Sequence, residues 1–262
     1  MNTLTHTLDD SRTMLRRNLL HAKRYPSLTL IVAAIPIVFL LLFVFVLGDT
    51  LGAGLGGGGG RGDYLTYVIP GILVMGIAGG AQGTAIAVAM DKTEGIIARF
   101  RTMAISRAAV LTGHVLGSLI QTAMGITVVV ATSLAIGYRP GANPLEWLGV
   151  IGMLALITCA LTWLSVAMGM WCKTVEGASN LPMPLMLLPF FGSGFAPTEG
   201  MPAGVRWFAE NQPFTPMIET IRGLLAGTPI GNNWIHAIGW CLVITAIGYA
   251  WALTSYSKDH TS

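Results

Sequence analysis

Asp91-Lys92-Thr93-Glu94-Gly95-Ile96-Ile97-Ala98-Arg99-Phe100-Arg101-Thr102-Met103-Ala104-Ile105-Ser106-Arg107 is a polar island between two long apolar segments. It carries both signs of charge. It also places Ile96, Ile97, Phe100 and Met103 at i, i+1, i+4 and i+7, which puts them on one face of a short helix. A helix of this kind lies at a water–lipid boundary and turns its polar side toward something in the aqueous phase.

The surrounding composition sets the class. Of 262 residues, 53% are hydrophobic and 10% charged, against roughly 25% charged in an ordinary soluble domain. Too few polar groups remain to cover a water-facing surface, so the chain reads as an all-α polytopic membrane protein. A crossing needs about 20 apolar residues, and five runs meet that need: Leu28–Leu47, Leu65–Met90, Val110–Gly137, Trp147–Trp171 and Trp234–Thr254. A sixth run, Leu181–Ala196, fifth in chain order, is short and holds Pro182, Pro184 and Pro189. It is expected to be a kinked span, tilted or incomplete, and the expected count is six.

Orientation follows from the Lys and Arg of the connections. The N-terminal segment, the island, the fourth connection and the tail hold eleven of the 15 basic residues, and the opposite connections hold four. Both termini and the island are therefore expected on the cytoplasmic side of a cell membrane. No small-residue cleavage site follows the first apolar run, so a signal peptide is not expected. Cys159, Cys172 and Cys241 lie in or at the ends of spans without CxxC spacing and read as packing residues, with no metal site expected.

Residues 1–27 repeat Leu4, Leu8, Leu15 and Leu19 among Arg12, Arg16, Lys23 and Arg24. That pattern fits an amphipathic helix lying on the inner leaflet. Asp49–Asp63, with five consecutive glycines, is expected to be a flexible outer linker. Its Arg61-Gly62-Asp63 tripeptide is a chance match to adhesion ligands. In the second span Gly76/Gly80 and Gly79/Gly83 form small-xxx-small pairs, which serve either ordinary helix packing or a dimer seam or substrate route. Gln82 among them needs a partner inside the bilayer. His114 is expected to hydrogen-bond a neighbour. Between Pro197 and Gly231, two short amphipathic helices, Ala203–Glu210 and Pro216–Leu225, are broken by Asn211-Gln212-Pro213. They form a re-entrant or surface-lying outer hairpin whose Arg206, Glu210, Glu219 and Arg222 make a solvated polar face. The expected organisation is thus an interfacial helix over 1–27, a transmembrane domain over 28–254 and a cytoplasmic tail over 255–262.

Several chemistries are excluded. None of the four lysines follows glycine, so no GxxxxGK[ST] phosphate loop exists. Neither HExxH nor GxSxG occurs, and no catalytic residues are assigned. Acidic residues are nearly missing from the spans, with Glu146 at a boundary, so an ion-coupled transporter lacks its midplane group. What remains is a membrane machine without its own energy source, fitted to dock a separate soluble motor.

Residue by residue, Glu94–Arg101 with Ser106-Arg107 resembles the coupling-helix signature of ABC transporter type-2 permeases. Gly62-Asp63-Tyr64-Leu65-Thr66-Tyr67-Val68-Ile69-Pro70-Gly71 is similar to the entry of the second helix in drug exporters of the daunorubicin type. Ser193–Pro197, Met201-Pro202, Asn211–Thr215 and Arg222–Leu225 resemble the family's short outer helices. Ala104 stands where many relatives have proline, which loosens the boundary after the coupling helix. The resemblance implies the ABC type-2 exporter fold: six transmembrane helices, an N-terminal interfacial helix, a cytoplasmic coupling helix (91–107) and outer re-entrant short helices (197–231). It implies coupling through Glu94, Gly95, Ile97, Arg99, Phe100 and Arg101. It also implies a substrate pathway along the second and fifth helices at Met75, Gly79, Gln82, Met183, Met186 and Phe190.

The implied partners are two copies of an ABC ATPase subunit holding ATP and Mg, a second permease chain (self or sister), membrane lipid and a hydrophobic cargo, with no nucleic acid. The permease has no cofactor of its own. The implied activity is bacterial export of a hydrophobic or amphiphilic drug, antibiotic or lipid by alternating access, with methionines suiting bulky solutes. A polysaccharide or glycolipid cargo, or a non-transporting scaffold role, is the alternative. The few aromatic rings in the second and fifth spans count against sugars.

Overall fold

Residues 61–93 form one unbroken helix. Its sequence runs apolar from Tyr64 to Met90, its only interior proline is Pro70, and its ends are polar. The computed structural model describes residues 26–55, 59–96 and 107–258, and among these the chain is helical without a strand. The N-terminal interfacial segment, and Ile97, Arg99, Phe100 and Arg101 of the island, lie outside the described residues. So does Ala104.

In chain order, α1 (Pro26–Leu41) runs into a π turn (Leu42–Val46), followed by α2 (Gly48–Ala53), α3 (Arg61–Thr93), α4 (Arg107–Ala135) and α5 (Pro144–Trp171). Then come α6 (Val175–Asn180), α7 (Met183–Leu187) with a 3-10 turn (Leu188–Phe191), α8 (Ala203–Asn211), α9 (Phe214–Ala226) and α10 (Asn233–Lys258). Among the described residues four helices, α3, α4, α5 and α10, are long and apolar enough to cross a membrane. They correspond to four of the six expected spans. Of the first expected span, α1 and the π turn together run from Pro26 to Val46, and Ala33–Val46 of it is an apolar helical stretch.

Leu181–Ala196 is not a single helix. Proline is favoured in the first turn of a helix and costly beyond it; Pro184 stands in the first turn of α7, and Pro189 in the first turn of the 3-10 helix that follows. The segment nevertheless runs antiparallel along α3. Gln82 contacts Ser179, a Cβ on Gly71 would touch Gly194, and Tyr64 contacts Phe195. From Gln82 back to Tyr64 is about 27 Å of helix axis at ~1.5 Å per residue. The fifth segment thus follows α3 over that distance, in pieces.

α3 is the centre of the bundle. From Val68 to Ala78 every residue is buried, because α1, α4, α5, α9 and the broken segment surround it. Small residues set the closest approaches. A Cβ on Gly169 of α5 would stand 2.5 Å from the Ala85 carbonyl oxygen of α3, and one on Gly248 of α10 would stand 2.6 Å from the Leu164 nitrogen of α5. The two glycine pairs of α3 divide: Gly76 packs on Pro36 and Gly80 on Thr122, whereas Gly79 and Gly83 face open space. A hydroxyl seam, Thr84–Ser118 (2.7 Å) and Ser118–Thr162 (3.4 Å), crosses α3, α4 and α5.

Three boundaries differ from the sequence reading. The glycine-rich linker is shorter than Asp49–Asp63, because α2 forms in it and Arg61–Asp63 are the first turn of α3. Arg61 closes the loop on Asp49 at 3.1 Å. Asp91–Thr93 belong to α3 rather than to a connection. Of the hairpin helices, which otherwise form where expected, α9 is not surface-lying: Phe214, Met217, Ile218, Ile221 and Leu225 are buried in the bundle.

Glu146 completes a capping box with Asn143 at the start of α5, each side chain reaching the other's backbone N–H. Replacing Asn143 with alanine leaves two amides without this partner and is expected to cost about 1 kcal/mol. Thermal unfolding of the purified protein reads that loss.

Candidate functional site

The last turn of α3 delivers the polar island. The helix ends because Gly95 takes a left-handed conformation (φ +74°), with the Glu94 amide bonded to the Met90 carbonyl and the Gly95 amide to the Lys92 carbonyl. A residue with a Cβ is strained at that φ. Glu94 is exposed there. Of the six expected coupling residues, Glu94 and Gly95 are therefore placed, at a sharp joint directly after α3.

Two charged side chains just before the joint turn inward. The Asp91 carboxylate is 3.3 Å from His114 Nε2 of α4, with both side chains largely buried. The Asp91 carboxylate is thus the polar neighbour His114 faces. The Lys92 ammonium donates to the Met170 carbonyl (2.7 Å) and the Cys172 carbonyl (3.4 Å) at the C-terminus of α5. Helix C-termini carry unsatisfied carbonyls and partial negative charge, which a cation offsets. Burial pushes the Cys172 thiol above its usual range, and the nearby Lys92 charge pulls it only partly back. Cys172 is thus a packing residue, as its sequence context indicated.

At the other end of α3, Arg222 carries a cluster that sequence reading assigned to a solvated face. Its side chain is 15% exposed. The guanidinium is paired with Glu219, donates to the Tyr67 carbonyl (3.2 Å) and the Ser193 carbonyl (2.6 Å), and lies 3.9 Å over the Tyr67 ring. The Tyr67 hydroxyl donates to the same Ser193 carbonyl at 2.9 Å. Arg222 therefore clamps α9 to α3 and to the broken segment. The i, i+3 spacing of Glu219 and Arg222 was visible in sequence, but the carbonyl partners were not. Arg206 and Glu210 do form the exposed pair expected of them, at 2.7 Å.

The expected pathway residues separate. Met75 is fully buried in the core, and Gly79 faces open space. Gln82 donates to the Ser179 carbonyl at 2.6 Å, which supplies the partner it needed. Met183 is 53% exposed, while Met186 packs against the core. Phe190 stacks on Phe195 with centroids 4.2 Å apart. Beside them is an open apolar groove of about 550 Å³ between the broken segment and α8, lined by Pro184, Leu187, Leu188, Phe191, Gly204, Val205 and Phe208. Among the described residues no group of three His, Cys, Asp or Glu side chains is arranged to hold a metal ion.

Comparison with known proteins gives this arrangement a family. Residues 10–226 match the model of the ABC-2 type transporter. The chain is 26% identical over 231 aligned residues to a daunorubicin resistance ABC transporter permease protein of Streptomyces coeruleorubidus, covering 86% of this chain and 75% of that one. It is 26% identical over 262 aligned residues to a probable doxorubicin resistance ABC transporter permease protein of Mycobacterium tuberculosis, covering 93% and 90%. With its bundle of apolar helices and an island between α3 and α4, the chain belongs to the ABC-2 type transporter family, as a membrane permease subunit.

Proposed function

We propose that this permease exports a hydrophobic or amphiphilic compound of the drug or antibiotic class, driven by ATP that a separate ABC ATPase subunit hydrolyses. The observation that carries the reading is the match over most of the chain to permeases named for daunorubicin and doxorubicin resistance. The lack of a phosphate loop supports a separate motor. In this reading two permease chains pair with two ATPase subunits that hold ATP and Mg. Both termini and the island face the cytoplasm, and the broken Leu181–Ala196 segment serves as the fifth of six spans. Glu94, Gly95, Ile97, Arg99, Phe100 and Arg101 receive the ATPase. Closure of the ATPase pair then repacks the membrane helices, and cargo passing Met75, Gly79, Gln82, Met183, Met186 and Phe190 loses its inward-facing site.

The test reconstitutes the permease with its ATPase in lipid vesicles and follows ATP turnover together with daunorubicin movement. Glu94→Ala with Arg101→Ala is expected to lower cargo moved per ATP by about tenfold or more, within the range of measured coupling energies. Transport at the unaltered ratio would show that the island does not couple.

A further inference from the structure

We infer that Lys92 is a positioning residue for transport, the side chain through which movement of the island is imposed on the end of α5 and the start of the broken fifth segment. The inference rests on the reading that the island docks an ATPase.

Three observations carry it. First, only Thr93 and Glu94 separate Lys92 from the joint at Gly95, so displacement of the chain beyond the joint acts on the last turn of α3 directly. Second, Lys92 holds the Met170 and Cys172 carbonyls where α5 ends, while Asp91, one residue earlier, faces His114 of α4. Adjacent positions point about 100° apart around a helix of 3.6 residues per turn, so one turn of α3 is tied to two different helices. Third, the chain leaving α5 meets α3 through small side chains and has no large apolar core of its own. Lys173 and Thr174 are exposed, and the local core consists of Ala89, Cys172 and Ala178, with Leu181 packed partly against it. Polar ties from that stretch to α3 include Lys92 at α5's last carbonyls and Gln82, ten residues earlier on α3, at the Ser179 carbonyl of α6. Close-packed interiors transmit displacement, so a shift of the last turn of α3 reaches the end of α5 through the Lys92 contacts.

A merely structural cap would alter stability alone, so the readout is the coupling ratio. The permease is reconstituted with its ATPase in lipid vesicles, and daunorubicin moved per ATP hydrolysed is measured for the unaltered chain, Lys92→Met and Lys92→Arg. Lys92→Met is expected to keep assembly and the KM for ATP while the ratio falls about tenfold. Lys92→Arg, which can still donate to both carbonyls, is expected to recover at least half of the unaltered ratio. If Lys92→Met does not assemble, Lys92→Gln, which keeps an uncharged donor, takes its place against Lys92→Arg. An unaltered ratio in Lys92→Met (or in its substitute), or an arginine variant as uncoupled as methionine, overturns the inference alone. An unaltered complex that hydrolyses ATP but moves no daunorubicin overturns the functional reading, and the inference falls with it.

Discussion

Arg222→Met is expected to destabilise the folded permease by about 2–4 kcal/mol, because it leaves a partly buried carboxylate without its cation and takes one donor from each of two inward-facing carbonyls. Glu219 loses its ion-pair partner. The Ser193 carbonyl keeps only the Tyr67 hydroxyl, and the Tyr67 carbonyl loses the guanidinium. The flat face over the Tyr67 ring is lost as well. Lys92 and Arg222 differ in kind here: one is a point charge at a helix terminus, the other a planar fork that serves three acceptors at once. Arg222→Lys should therefore recover only part of the loss, since an ammonium has neither the fork nor the stacking face. Thermal unfolding in detergent measures both variants. An Arg222→Met protein as stable as the unaltered one would show that the clamp carries no net stability.

The second large effect concerns the contact between α3 and the broken segment. In Gly71→Ala the added methyl would stand 2.5 Å from the Gly194 carbonyl oxygen and 2.9 Å from its Cα. Both are backbone atoms, so no side-chain rotation relieves the overlap. Gly194 cannot retreat freely, since a Cβ at its own position would stand 2.8 Å from the Pro189 carbonyl oxygen. The expected net cost is about 1–3 kcal/mol, even after the helix preference for alanine is counted. Gly152→Ala is the control. That glycine lies on an exposed face of α5 with nothing within 4 Å of its would-be Cβ, so the substitution should stabilise by up to about 1 kcal/mol. Opposite signs for the two substitutions in the same unfolding assay test the geometry directly.

Much of the architecture was legible in the sequence because apolar length and turn residues act locally. The runs that became α3, α4, α5 and α10 exceed the bilayer requirement, and the fifth segment is interrupted where Pro182 and Pro189 begin new short helices. Asn211-Gln212-Pro213 separated α8 from α9 within a residue or two of the observed ends. Other features depend on partners far along the chain. Lys92 looks like a loop charge until its stem is seen to reach the α5 terminus 78 residues away. Arg222 looks solvent-facing until Tyr67, 155 residues earlier, is brought beneath it. The short helix α2 was hidden by glycine-rich composition, although its Asp49 meets Arg61 across the loop. The joint at Gly95 was not legible in the sequence, where the second span ends at Met90 and Glu94–Arg101 reads as one helix; the left-handed Gly95 shows only in the backbone.

The interrupted fifth segment has a consequence for biogenesis. A continuous membrane helix satisfies its own backbone and can enter the bilayer as a finished unit. This one cannot, because its carbonyls at Leu188, Ser193 and Phe195 accept bonds from Gln212, Arg222, Tyr67 and Tyr64. Two of those donors are synthesised before the segment and two after it. Ser193 must wait for Arg222, 29 residues downstream, so the segment's final seating belongs to a late stage of maturation, after the chain through α9 has emerged.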